Sequence, residues 1–199
     1  MGPMLCEVLR AKGATVIADD SDLSRAGVAE KVVADSGRID VLLANLSIPA
    51  PSTPAAQVSE EEWQAVFAAL VSPLPRLCAA VLPQMVERRA GKILLMGSAS
   101  ALRGMKRAST YSAARGAQLA YIQAVGVEMA EHNIQINAIA QNFVENPTYY
   151  GPEVQALPAF QERLKREVPL GRLARPEEDA LFAVFLFAVA AGTLIGGAL

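Results

Sequence analysis

Lys92-Ile93-Leu94-Leu95-Met96-Gly97-Ser98, followed by Ser109-Thr110-Tyr111-Ser112-Ala113-Ala114-Arg115, decides how this chain is read. The first stretch is an uninterrupted apolar run closed by Gly and Ser. A strand buried on both faces has this composition, because a parallel sheet leaves neither side to water. The second stretch opens an Ala-rich segment, 109–131, that reads as a helix. Tyr111 and Arg115 stand four residues apart and so share one helix face. The start of that helix can therefore carry both side chains to the mouth of the strand that ends at Ser98.

Outward from this pair, extended and helical patterns alternate. Met4, Leu5, Val8 and Leu9 recur at helical spacing, and Gly13 is placed to end that helix. Thr15–Ala18 is a β-branched run that stops at Asp19-Asp20, and it predicts a strand. A helix is expected over 24–35, a strand over Val41–Asn45 and a Pro- and Ser-rich loop over 46–58. Ser59 and Glu62 form a capping box that opens a long helix toward Arg89. Pro73, Pro75 and Pro83 are expected to kink or split it. Ile134–Ala140 reads as a strand, 141–158 as a polar loop, and 159–167 and 176–190 as helices. Strands alternating with helices predict an α/β domain spanning 1–199, its parallel sheet covered by helices on both faces. Such sheets bind ligands beyond the carboxyl ends of their strands, which selects Asn45, Ser98 and Gln141 onward.

Composition narrows the function. The chain has 199 residues, 52% of them hydrophobic and 19% charged, with a net charge of −2. No dense run of Lys and Arg supplies a nucleic-acid footprint. Cys6 and Cys78 match no metal or redox spacing, and His132, the single histidine, cannot make a metal cluster alone. No secretory signal opens the chain. These features predict a cytoplasmic protein. The uncharged stretch 180–199, with Gly192 and Gly196 in a G-x-x-x-G, has the length of a membrane span. The acidic start Pro176-Glu177-Glu178-Asp179 points instead to a buried helix of a parallel-sheet protein, so no membrane partner is expected.

The chemistry proposed for Ser98, Tyr111 and Arg115 follows from electrostatics. A free phenol titrates near 10, too high for a base at neutral pH. A cation within reach favours the phenolate and lowers that value by about 1–3. The phenolate can then take a proton from a substrate hydroxyl whose oxygen Ser98 holds. A surface Tyr–Arg pair and a Ser that caps a strand would present the same spacing.

Gly97-Ser98, the run Ser109–Arg115 and the strand Asn137-Ala138-Ile139-Ala140 resemble the short-chain dehydrogenase/reductase superfamily. Ile39–Asn45, Leu82-Pro83-Gln84-Met85 and Val168-Pro169-Leu170-Gly171-Arg172 extend the resemblance from about Gly2 to Arg175. It implies a Rossmann-like, doubly wound parallel sheet. It also implies that the chain lacks the first strand and its Gly-rich turn, with Gly2 as the last remnant of that turn. Ordinary members carry Lys four residues after the Tyr, Pro-Gly after the NAIA-type strand, and Asn-Ala-Gly after the earlier strand. Here stand Arg115, Gln141-Asn142 and Asn45-Leu46-Ser47, departures that resemble the halohydrin dehalogenase branch and its Ser-Tyr-Arg triad.

That branch implies a cofactor-free enzyme that converts a vicinal haloalcohol to an epoxide and a halide. Tyr111 would be the base, Arg115 its electrostatic support, and Ser98 the holder of the substrate oxygen. Asn142, Phe143, Pro147, Tyr149 and Tyr150 would shape the pocket for halide and substrate. The partners would be a small halohydrin or epoxide and a halide anion, and the assembly a homotetramer or homodimer built on 59–89 and 109–131. The alternatives are an oxidoreductase that holds NAD or NADP with Gly2, Asp19 and Asn45, and a non-catalytic chain that only assembles. On the dehalogenase reading Asp19 and Asp20 are solvated turn residues.

Overall fold

The computed structural model describes residues 1–188, which form two compact units. The larger is Ile17–Ala140; the smaller joins Met1–Val16 to Gln141–Ala188. Along the chain run α1 (Gly2–Ala11), α2 (Val28–Ser36), β1 (Val41–Ala44), α3 (Glu60–Leu70), α4 (Pro73–Arg88), β2 (Gly91–Ser98), α5 (Ser109–Met129), β3 (Ile134–Gln141), α6 (Pro152–Gln155), α7 (Pro158–Glu167) and α8 (Pro176–Ala188). The architecture is the α/β one that the alternation predicts, with the Rossmann-like arrangement that the resemblance implies.

In the larger unit the strands lie in the order β1-β2-β3, and β1 runs parallel to β2 with Val41 opposite Lys92 and Ala44 opposite Leu95. Ile93, Leu94, Leu95 and Met96 are each 1% exposed, so the central strand is buried on both faces. Alternation sends Ile93 and Leu95 into one core. There they meet Leu70, Leu74, Leu77, Cys78 and Val81 of α3 and α4, together with Ile134 and Ile136 of β3. Gly97 allows β2 to approach β3 closely. A Cβ at that position would stand 3.2 Å from the Ile139 carbonyl oxygen.

Several expectations change on folding. Thr15–Ala18 forms no strand, and Ile17 is 61% exposed. The described sheet has only β1, β2 and β3, so this run has no ladder partner to repay the cost of extension. The helix expected over 24–35 starts later, at Val28. Asp22 instead captures the N–H and hydroxyl of Ser24 in a local turn, and Gly27 enters the helix at φ +81°. The long helix toward Arg89 does split as its prolines predict, at Val71–Ser72 immediately before Pro73, while Pro83 remains inside α4. A proline at the start of a helix loses nothing, because the first N–H groups have no intrahelical acceptor.

Glu60–Arg88 is the one stretch among the described residues with the length and apolarity of a membrane span. It is broken at that point and supplies Val66, Leu70, Leu74, Leu77, Cys78, Val81 and Met85 to the core. Of the uncharged segment 180–199, α8 covers the first part. Residues 189–199, with Gly192 and Gly196, lie outside the described residues.

In the smaller unit α1 packs against α8. Phe143, Phe160, Leu164 and Leu173 form its apolar centre, flanked by Tyr150 and Val168. Glu178 begins α8 by accepting two bonds from Arg172, both at 2.8 Å, and one from the Arg175 N–H. Those bonds, the Arg172 pair first, hold its carboxyl down at about 2.

Candidate active site

Ser98 closes β2 and caps the short 3-10 turn Ala99–Ala101. Its Oγ accepts from the Ser100 N–H at 3.2 Å and from the Ser100 hydroxyl at 2.9 Å. With both lone pairs engaged, the Ser98 proton is the part of the group left to donate. The helix α5 packs against both β2 and this turn. Its buried stripe runs Tyr111, Ala114, Arg115, Gln118, Ile122, Gly126 and Met129, which is helical spacing on one face. Ala113, Ala117 and Ala120 lie off that stripe.

Tyr111 and Arg115 come together on this stripe, 7% and 5% exposed. The guanidinium carbon lies 5.0 Å from the centre of the Tyr111 ring, over its face. One guanidinium nitrogen donates to the Met96 carbonyl at 3.3 Å and to the Gln118 side-chain oxygen at 2.9 Å. The Arg115 Nε is buried without a partner, and no ion pair among the described residues includes Arg115. A buried cation without a carboxylate is uncommon, because desolvation is normally offset by a counter-ion. Ser98 makes no hydrogen bond to Tyr111 in this arrangement; its partner is Ser100.

A second polar cluster fixes the start of α5. Ser59 caps α3 as expected, accepting from the Glu62 N–H at 3.2 Å. The Glu62 carboxylate, however, does not return to Ser59. It accepts from Thr53 at 2.5 Å and from Thr110 at 2.7 Å. These two hydroxyls, Thr53 first, hold the Glu62 carboxyl below its ordinary value. Arg107 grips Ser52 through its side chain, and its carbonyl accepts from the Thr53 N–H at 2.8 Å. The loop after β1 is thus fastened to Arg107, four residues before Tyr111, and through Glu62 to Thr110.

Sequence patterns marked Glu62 only as the partner of the Ser59 cap, and Gln118 not at all. Each is a common helix residue, and only its spatial neighbours reveal the contact. Cys78 is fully buried against Tyr121, and burial pushes its thiol up to about 11.

The residues expected to shape the halide and substrate pocket belong to the smaller unit. Phe143 is buried and stacks on Tyr150 with ring centres 5.8 Å apart, and Tyr150 lies 5.5 Å from Phe160. Arg163 sits over the Phe143 ring at 5.4 Å. Tyr149 is 39% exposed, and Asn142 and Pro147 are exposed. The Asn142 carbonyl accepts from the Val144 N–H. Asn146 receives the Tyr149 N–H at 2.8 Å, which makes it a turn residue. Among the described residues no cluster of His, Cys, Asp and Glu has a metal-binding arrangement.

A family model described as enoyl-(acyl carrier protein) reductase matches residues 7–199. The chain belongs to the short-chain dehydrogenase/reductase superfamily. Within that superfamily it is 33% identical over 161 residues to the 3-oxoacyl-[acyl-carrier-protein] reductase of Chlamydia muridarum, covering 79% of this chain and 61% of that one. The chain therefore spans about three fifths of the length of curated relatives such as this one. A solved structure titled "Dehalogenation enzyme" superposes with a TM-score of 0.85 at 27% identity, over 100% of this chain and 90% of that one. A halohydrin dehalogenase bound to ethyl (2S)-oxiran-2-ylacetate superposes with a TM-score of 0.76, also at 27% identity, over 94% and 75%.

Ordinary members of the superfamily hold a nicotinamide dinucleotide, for which Gly2, Asp19 and Asn45 are the residues expected here. The Asp19 carboxylate is turned onto the Ser21 N–H and hydroxyl. Gly2 opens α1 directly before Pro3, which has no N–H to offer a pyrophosphate. Asn45 is exposed beyond β1. A guanidinium nitrogen of Arg115 is already committed to Met96 and Gln118.

Proposed function

We propose that this superfamily member is a halohydrin dehalogenase-like enzyme that closes a vicinal haloalcohol to an epoxide and releases halide. The observation that carries the reading is the buried Arg115 guanidinium over the Tyr111 ring, with no ion pair to a carboxylate among the described residues. Arginine stays protonated and cannot relay a proton, so its contribution is charge. A fixed positive charge against a phenol favours the phenolate, which is what proton abstraction from an alcohol needs. The solved neighbours titled as dehalogenating enzymes support the same assignment.

In the proposed reaction the substrate hydroxyl gives its proton to Tyr111. The Ser98 hydroxyl donates to the same oxygen and stabilises the growing negative charge. That oxygen then attacks the neighbouring carbon. The C–O bond forms as the carbon–halogen bond breaks, and the bonding pair leaves with the halide. No atom is oxidised or reduced overall. The nucleophile is tethered to its target, so the ring closure is intramolecular.

A second reading, an oxidoreductase dependent on a nicotinamide, is favoured by the reductase names of the curated relatives. One experiment separates the two. The protein is incubated with a bromohydrin or chlorohydrin and no added cofactor, while halide and epoxide are followed by ion and gas chromatography. Stoichiometric halide and epoxide, lost in Tyr111→Phe, support dehalogenation. Absence of halide, together with oxidation of NADH or NADPH by a 3-oxoacyl thioester, overturns it.

A further inference from the structure

We propose that Gln118 is a positioning residue for Arg115, and that its neutral amide leaves the guanidinium charge available to the Tyr111 phenol. The inference rests on the reading of Tyr111 as the base. Gln118 is 0% exposed, and nothing in the chemistry above uses it. Its side chain joins two groups of fixed polarity. The Arg115 guanidinium can only donate, and the Leu70 carbonyl at the end of α3 can only accept. The amide therefore has one satisfying orientation, with its oxygen toward Arg115 at 2.9 Å and its NH2 toward Leu70. The bond to Leu70 also satisfies a carbonyl of the last turn of α3. Together with the Met96 carbonyl, these contacts anchor the guanidinium from α3, α5 and β2 at once.

The choice of an amide matters. A carboxylate at this place would hold Arg115 more tightly and cancel its charge. Two neutral acceptors hold it without doing so. The remaining charged and titratable groups leave this balance intact. On α3, Glu62 is bound by Thr53 and Thr110, and Glu60 and Glu61 lie in the same first turn. On α4, Arg76 donates to the Ser24 carbonyl, Cys78 lies against Tyr121, and Glu87 and Arg88 occupy the far end. On β2, Lys92 sits at the end opposite Ser98, and the turn Ala99–Ala101 carries no charge. Farther along α5 stand Tyr121 and Glu128.

The test compares Gln118→Glu, nearly identical in shape, and Gln118→Met, which keeps the volume without the acceptor. Two readouts are taken. The first is the pH profile of halide release. The second is the substrate-free ultraviolet titration of the tyrosinate, corrected by subtracting the Tyr111→Phe signal in each background. For Gln118→Glu the acid limb of kcat/KM and the titration both move up by about 1–2 pH units, and the alkaline plateau is kept. For Gln118→Met the plateau falls by about tenfold as the guanidinium loses its anchor. An unmoved limb and titration in Gln118→Glu overturn the proposal, as does a loss in Gln118→Met no greater than in an exposed α5 control, Val127→Ala. If the titration moves as stated while even the unmodified protein releases no halide, the positioning role stands and the dehalogenase reading falls.

Discussion

Replacing Arg115 by Met removes one buried charge and keeps most of the side-chain volume. The guanidinium carbon lies 5.0 Å from the centre of the Tyr111 ring, and the phenolate charge that it would favour sits on the oxygen at the ring's edge. At an effective dielectric constant of about 20, two unit charges about 5–6 Å apart attract by about 3 kcal/mol. That corresponds to about 2 pH units in the proton affinity that limits the reaction. Stability should respond far less. The Gln118 oxygen loses a donor and the Met96 carbonyl keeps one fewer partner, at about 1–3 kcal/mol for each group left bare. Relief from burying an unpaired cation offsets much of this.

The assay is halide release from a bromohydrin between pH 6 and pH 10, beside thermal unfolding followed by circular dichroism. Arg115→Met should fold, lose about 100-fold in kcat/KM at neutral pH, and recover much of it at the alkaline end. Arg115→Lys, which restores a cation, should lie between the two. A loss in Arg115→Met that is equal at every pH, with the acid limb unmoved, would refute the electrostatic role.

Three further outcomes follow from single contacts. Ser98→Ala should lower kcat/KM by about 100-fold with little change in pH dependence, because it removes a hydrogen-bond donor rather than a titrating group; an unchanged rate would exclude Ser98 from the site. At pH 8 a thiol reagent should label half-buried Cys6 in the native protein and reach Cys78 only on unfolding, since burial holds that thiol at about 11; rapid native modification of both thiols would contradict the packing of α4. Glu178, depressed to about 2 from an ordinary 4.5, contributes stability that is fully present above about 4.5 and is lost as pH falls toward 2. Glu178→Gln should therefore flatten that part of the stability curve, and identical acid unfolding of both proteins would show the Arg172 pair to be inert.

Much of the larger unit was legible in the chain itself. The run Ile93–Met96 has no polar interruption, so only a strand covered on both sides suits it, and it is fully buried. Spacing alone put Tyr111 and Arg115 on one face of α5, because 3.6 residues per turn leaves no other outcome. The cap at Ser59 and the division of the long helix before Pro73 are local chemistry and were readable as such.

Tertiary structure decided the rest. Thr15–Ala18 has strand composition, yet a strand exists only where a neighbour pairs with it, and pairing is non-local. Glu62 fits a capping box, but Thr53 and Thr110 compete for its carboxylate from elsewhere in the larger unit. The neutral company of Arg115 was invisible for the same reason. Met96 and Leu70 bind through backbone carbonyls that every residue owns, and Gln118 gains its role only when three elements converge on it. Helical and strand periodicity are written into consecutive side chains, whereas the partners of a buried charge are chosen by how separate segments meet.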